Sequence, residues 1–259
     1  MRHAARLLPP RANRRREKRY TGAIPPCHSL WISIDMKGRL ALFDLDNTLL
    51  AGDSDHAWGE FLIERGLVDA DSHRAANDAY YQNYLAGNLD IHDYVNFTVA
   101  PVRSYTEEER NHLHDTFMQK AIRPMILPKS RALIESRQVR GDTCIIITAT
   151  NDFITAPIAK ELGVDILIAT QLETIEGKLT GRIQGEPCYH EGKVKKLVVW
   201  MQREASRGHH FDLSSAVFYT DSINDLPLLK QVSEPVAVDP DDSLRREAQA
   251  RQWKVISLR

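Results

Sequence analysis

Cysteine is scarce: Cys27, Cys144 and Cys188 are the whole complement of this 259-residue chain. Three thiols so widely spaced form neither a disulfide framework nor a four-thiolate zinc site, and a reducing compartment is the simpler expectation. An excess of charge of one sign is missing too, with 34 Lys and Arg against 35 Asp and Glu. That balance gives no electrostatic ground for nucleic acid as the main partner. Long apolar runs are also absent: none approaches the ~20 residues that cross a bilayer. No apolar segment follows the N-terminal arginines, as a secretory signal would require. The expectation is a cytoplasmic protein with no membrane and no nucleic-acid partner, its oligomeric state left open. Length and a hydrophobic content of 42% are there instead. Together they allow a large core without disulfides or structural metal.

The balance hides one asymmetry. Arg2, Arg6, Arg11, Arg14, Arg15, Arg16, Lys18 and Arg19 face a single acid, Glu17. Pro9, Pro10, Pro25 and Pro26 break any long helix there, and nothing periodic appears. Residues 1–35 are expected to be a basic, irregular extension. Met36, just before the first clear strand, is an alternative start.

From Arg39 onward the pattern becomes regular. Short apolar runs at Leu40–Phe43, Thr143–Thr148, Asp165–Ile168, Ala216–Tyr219 and Pro235–Val238 read as buried strands. Helical patterns over Lys129–Arg137, Phe153–Leu162 and Lys193–Arg203 separate most of them, and Gln171–Ile183 reads as a hairpin turning at Glu176-Gly177. Strand–helix alternation predicts an α/β fold with a doubly wound parallel sheet. About a hundred residues separate the first two strands, far more than a crossover needs. Thr106 with Glu109 makes a capping box there, and Asp90 can cap a helix carrying Ile91, Tyr94, Val95 and Phe97. The division expected is an α/β core over 36–53 and 126–259, with an inserted helical cap over 54–125. Trp58, Phe61 and Leu62, at helical spacing, are expected in its core.

Open α/β sheets bind ligands beyond the carboxyl ends of their strands. The first run is followed by Asp44-Leu45-Asp46-Asn47-Thr48, the second ends in Thr148, and the fourth is followed by Thr220-Asp221-Ser222-Ile223-Asn224-Asp225. Lys193 opens the helix before the fourth. Any single loop acid is ordinarily just solvated, but Asp44, Asp46 and Asp221 each lie directly behind a buried run. Four converging carboxylates repel one another and call for a cation, and hard oxygen donors without His or Cys select Mg²⁺. A lysine and a strand-end hydroxyl beside it would hold a phosphoryl group. One carboxylate could then act as nucleophile while a second handles the proton.

These residues, in this order, resemble the haloacid dehalogenase (HAD) superfamily. The match runs from Arg39 to about Val238, and the insert resembles the helical cap of its phosphoserine-phosphatase-like branch. The stretch from Asp44 to Asp55 is similar to a histidinol-phosphatase-like bacterial subgroup. The resemblance implies a HAD-like Rossmannoid core and a Mg²⁺-dependent phosphatase acting on a small phosphomonoester through an aspartyl-phosphate. Histidinol phosphate, phosphoserine or another amino-alcohol phosphate would be the substrate. It makes Asp44 the nucleophile and Asp46 the acid–base, with Thr148 and Lys193 on the phosphate. Asp44, the Asp46 backbone carbonyl and Asp221 would hold the metal, with Thr48, Asn224 and Asp225 in support. Asp53 falls where the phosphoserine enzymes grip the substrate amine, though it could equally cap the next helix. Ser222 and Thr220 stand where the family often has Gly, and Arg103 matches no carboxylate-binding position. A phosphotransferase or mutase on the same fold, or a non-catalytic phospho-acceptor regulator, are the alternatives. His112 and His114, and the pair His209-His210, are expected at the surface.

Overall fold

The structure is a computed structural model and describes residues 38–259. The expectations for residues 1–35 and for Cys27 and Met36 lie outside the described residues.

The described residues open with β1 (Leu40–Phe43) and then enter the helical insert. There α1 (Ser54–Glu64), α2 (Ala70–Leu85), α3 (Ile91–Val99) and α4 (Glu107–Phe117) follow, α4 running through a π-helical turn (Met118–Ile122) into the short α5 (Arg123–Met125). The return to the sheet is α6 (Pro128–Val139), β2 (Thr143–Asn151), α7 (Asp152–Glu161) and β3 (Ile166–Thr170). A hairpin, β4 (Leu172–Ile175) and β5 (Lys178–Ile183), leads to α8 (Glu191–Ala205) and β6 (Val217–Thr220). The chain ends with α9 (Leu226–Leu229), β7 (Glu234–Val238), α10 (Asp242–Arg251) and β8 (Lys254–Ile256).

Six strands form one parallel sheet in the order β3-β2-β1-β6-β7-β8. Winding reverses between β1 and β6, so the crevice at their carboxyl ends is the expected ligand position. All four residues of β1 are buried, as a central strand covered on both faces requires. Ala41 and Phe43 face one apolar cluster, and Leu40 and Leu42 the other. β8 went unread in the sequence: its Lys254 and Val255 are exposed at the sheet edge, so no apolar run marks it.

The insert begins and ends side by side. Leu50 bridges Ile126 in antiparallel fashion, and Ala51 N donates to Met125 O at 2.8 Å. Side-chain acceptors at Asp53, Asp69, Asp90 and Thr106 start its four main helices, and Thr106 with Glu109 forms the reciprocal capping box. Trp58, Phe61, Leu62, Phe117 and Ile122 join the same buried cluster as Phe43 and Ile146 of the sheet. The insert's apolar side is thus continuous with the sheet's core, while Val95 and Val99 of α3 pack on Leu172 and Leu179 of the hairpin. α1 and α2 approach closely at Gly59, where a Cβ would lie 2.5 Å from Asn77 Nδ2.

One surface expectation fails. His209 and His210 are exposed, and so is His112, but His114 is buried among the rings of Trp58, Phe117 and Phe153. Of the two histidines, spaced to face different ways on α4, His114 lies on the face the apolar insert covers.

Candidate active site at the strand ends

β1 delivers Asp44 to the switch point, where its N–H donates to Tyr219 O at 2.9 Å. The carboxylate is 5% exposed. Its Oδ1 accepts from Lys193 Nζ at 2.8 Å, and the same ammonium reaches Asp225 Oδ1 at 2.7 Å and Oδ2 at 2.8 Å. Lys193 lies in the first turn of α8, where the helix dipole disfavours a cation. The two flanking carboxylates compensate. Burial alone would push its ammonium down, but Asp225 and Asp44 outweigh burial and hold it above the ordinary lysine value. The turn before it is tight: His190 has φ 49°, and a Cβ on Gly192 would meet Pro187 O at 1.9 Å. Glycine is required there to bring Lys193 under the rim.

On the other side of Asp44, Thr48 ties two acids together. Its hydroxyl lies 3.0 Å from Asp221 Oδ1 and 3.4 Å from Asp44 Oδ2, and it accepts from Asp221 N at 2.9 Å. Asp225 also accepts from Thr220 Oγ1 at 2.7 Å, a bond that a glycine at that position would lack. Asp46 is oriented independently: Ser54 N donates to Oδ1 at 2.7 Å and Thr150 Oγ1 to Oδ2 at 2.8 Å. Thr148 Oγ1 accepts from Thr150 N at 3.2 Å, leaving its own proton to donate elsewhere.

Desolvation dominates the titration. Burial pushes Asp44 up to about 7, against the lowering effect of Lys193. Burial and the charge of Asp53 push Asp46 up to about 7, against the hydrogen bonds from Ser54 and Thr150. Asp221 is raised well above the carboxylate range by burial and then by Asp44. Crowded acids with one lysine among them are short of positive charge.

Among the described residues, no three His, Cys, Asp or Glu side chains gather into a metal cage. The paired carboxylates of Asp44 and Asp221, bridged by Thr48, are two hard oxygen donors. With a backbone carbonyl as the third, such a set suits Mg²⁺, which keeps waters in its remaining positions. The donors present fit the ion.

Asp44, Asp46, Thr148 and Asp53 line one cavity together with tyrosines of α2 and α3. Its volume is about 30 Å³. Asp53 has the capping role: Oδ1 accepts from Asp55 N at 2.9 Å and His56 N at 2.8 Å. It lines the cavity as well, so capping and ligand contact do not exclude each other. Asn224 joins insert to core, its Oδ1 3.1 Å from His190 Nε2 and its Nδ2 donating to Tyr84 O at 3.1 Å. Sequence reasoning missed Thr150, Asp55 and the tyrosines. The alternation Thr148-Ala149-Thr150 puts both hydroxyls on one face and could have exposed the first; the tyrosines carry no comparable signal.

Comparison with known proteins bears on the family and the fold. The family profile described as haloacid dehalogenase-like hydrolase matches residues 41–230. A histidinol-phosphatase of Neisseria meningitidis serogroup C (strain 8013) is 45% identical over 222 residues, covering 85% of this chain and 99% of that protein. A solved structure from Bordetella pertussis Tohama I, of unknown function, is 40% identical with a TM-score of 0.78, covering 86% of this chain and 100% of that one. A substrate-bound phosphoserine phosphatase shares the fold at 19% identity and a TM-score of 0.62, over 85% of this chain and 93% of that one. The order of strands, the motifs at their ends and the extent of these matches lead to one assignment: the chain belongs to the haloacid dehalogenase-like hydrolases.

Proposed function

We propose that the protein is a phosphatase that hydrolyses a small phosphomonoester through a phosphorylated Asp44. The carrying observation is the division of labour between two adjacent carboxylates: Asp44 is fixed by Lys193 and Thr48, and Asp46 is fixed apart from it by Ser54 N and Thr150. Asp44 attacks phosphorus, and the bond to the leaving oxygen breaks as Asp46 passes its proton to that oxygen. Water then attacks the same phosphorus, Asp46 takes the water's proton, and Asp44 is released with inorganic phosphate. An acid–base group pushed up to about 7 suits both half-reactions near neutral pH. The free proton of Thr148 and the Lys193 ammonium would hold phosphoryl oxygens. Thr48, Asn224 and Asp225 support the loops and the lysine.

Mg²⁺ would be held by Asp44, Asp221 and the Asp46 carbonyl, and when bound it would neutralise charge on the phosphoryl oxygens and on Asp44. The insert 54–125 would act as a cap over a core of 36–53 and 126–259. A cavity of about 30 Å³ holds little more than water, so in this reading the walls must part for a substrate to enter. The Neisseria relative supports histidinol phosphate as the first substrate to try. Phosphate release from histidinol phosphate, phosphoserine and p-nitrophenyl phosphate, with and without EDTA, tests the reading. Hydrolysis that stops in EDTA and returns with Mg²⁺ is expected. Full activity in metal-free buffer would remove the metal, and release from none of the three would remove the phosphatase.

A further inference from the structure

The cavity lined by Asp44 and Asp46 is also walled by Asp53 and Asp55 at the start of α1, Tyr80, Tyr81 and Tyr84 of α2, and Tyr94 of α3. Asp55 is 6% exposed, and its Oδ1 has no hydrogen-bond partner. Its pKa is raised well above the carboxylate range by burial, then by Asp53 and Asp46, with only Thr98 opposing. Asp55 needs no capping role, since Asp53 already fills that position on α1. A buried carboxylate oxygen left unpaired is costly unless something arrives to pair it. Tyrosine rings lining the same cavity as such an acid can provide the other half of an organic-cation site. Spacings of three and four residues turn Tyr80, Tyr81 and Tyr84 toward the same side of α2.

The composition of the wall also says what it refuses. Among the described residues lining the cavity there is no Lys, Arg or His. Arg103 of the insert donates from Nη2 to Asn96 Oδ1 at 2.7 Å and does not line the cavity. A substrate carboxylate entering here would meet Asp53 and Asp55 with nothing to balance it.

We propose that Asp55 and the surrounding tyrosines form a cation-accepting subsite that selects phosphomonoesters carrying a protonated nitrogen and no carboxylate. The inference rests on the phosphatase reading and deepens it: the phosphoryl group lies against Asp44, and the cationic end of the leaving group lies against Asp55.

Phosphoethanolamine and phosphoserine differ only by the carboxylate, and p-nitrophenyl phosphate lacks the amine, so kcat/KM for the three isolates the subsite. The wild-type protein is expected to prefer phosphoethanolamine over phosphoserine by at least about tenfold. In Asp55→Asn, the ratio of kcat/KM for phosphoethanolamine to that for p-nitrophenyl phosphate should fall at least about tenfold. Asparagine is nearly isosteric and uncharged, and an unchanged melting temperature would certify the fold. Equal use of phosphoserine and phosphoethanolamine by the wild type would overturn the proposal without any variant. A ratio that does not move in Asp55→Asn would overturn it as well. Should histidinol phosphate, p-nitrophenyl phosphate and both amine esters all resist hydrolysis, the phosphatase reading fails, and calorimetric binding of phosphoethanolamine and phosphoserine decides the subsite separately. Preferential binding of phosphoethanolamine would retain it; equal binding, or none, would remove it.

Discussion

At the rim of the sheet, Lys193 lies between Asp44 and Asp225, and Thr48 joins Asp44 to Asp221. In the same cavity, on the insert, Asp55 is equally buried, has no lysine among its cavity neighbours and has no partner for Oδ1. Both places hold carboxylates away from water, and burial raises the pKa in both. They differ in where the counter-charge comes from. The rim carries part of its own in Lys193, which in the proposed reading serves the phosphoryl step. The wall carries none, so its charge is balanced only by what binds, which suits selection. In the proposed reading, chemistry and specificity fall to different elements, a β-strand end and a helix start.

The comparison can be broken most severely at Asp44. Asp44→Asn keeps the shape but removes the nucleophile and the partner of Lys193, and turnover of p-nitrophenyl phosphate should fall by about 10⁴-fold or more. Retention of a tenth of wild-type turnover would refute the assignment.

Lys193→Met makes the rim resemble the wall. It leaves Asp44 and Asp225 buried without their cation, a change that typically costs about 3–5 kcal/mol. In metal-free protein the melting temperature should drop by roughly 6–20 °C. Mg²⁺ should restore more of the loss than it adds to the wild type. A variant as stable as wild type without metal would mean the lysine contributes nothing to holding the rim together.

Protonation weakens the contrast from the other direction. Asp44 and Asp46 stand at about 7 in the folded protein against an ordinary 3.8, so the folded state binds protons that the unfolded chain has released. Their contribution to stability is complete below 3.8 and is lost as pH rises through about 7. The melting temperature of metal-free protein should fall over that window, less steeply with Mg²⁺ or in Asp44→Asn. A rise over the same window in all three samples would reverse the sign and discard the desolvation argument.

The smallest effect is expected two residues away. Lys195 is exposed and pairs with Glu186 at 2.6 Å. Lys195→Ala should leave kcat/KM within about twofold, because an exposed ion pair contributes little. A large loss would show that position in the motif does not distinguish these lysines.

The rim was legible in the sequence and the wall was not, for a physical reason. Asp44, Thr148 and Asp221 each terminate or follow a run of buried residues, so strand periodicity alone points their side chains at one edge. Lys193 gains its meaning from order along the chain relative to those acids. Tyr80, Tyr81, Tyr84 and Tyr94 sit on half-buried helices of mixed polarity, where a tyrosine facing a cavity and one facing solvent have the same neighbours in sequence. Asp55 looks like an ordinary first-turn acid until its burial is known. His114 misled similarly: spacing separates it from His112 but does not say which of the two faces inward. β8, with exposed residues at the sheet edge, left no run to detect.

In the proposed mechanism Asp44 takes the phosphoryl group and Asp46 moves the protons. Asp46→Asn should slow hydrolysis of the phosphorylated protein by about 10²–10⁴-fold while sparing its formation from p-nitrophenyl phosphate, whose leaving group needs little protonation. Rapid acid quench followed by peptide mass spectrometry should then find phosphate on Asp44, together with a burst of p-nitrophenol equal to the enzyme present. Phosphate on any other residue, or a burst that persists in Asp44→Asn, would contradict the account.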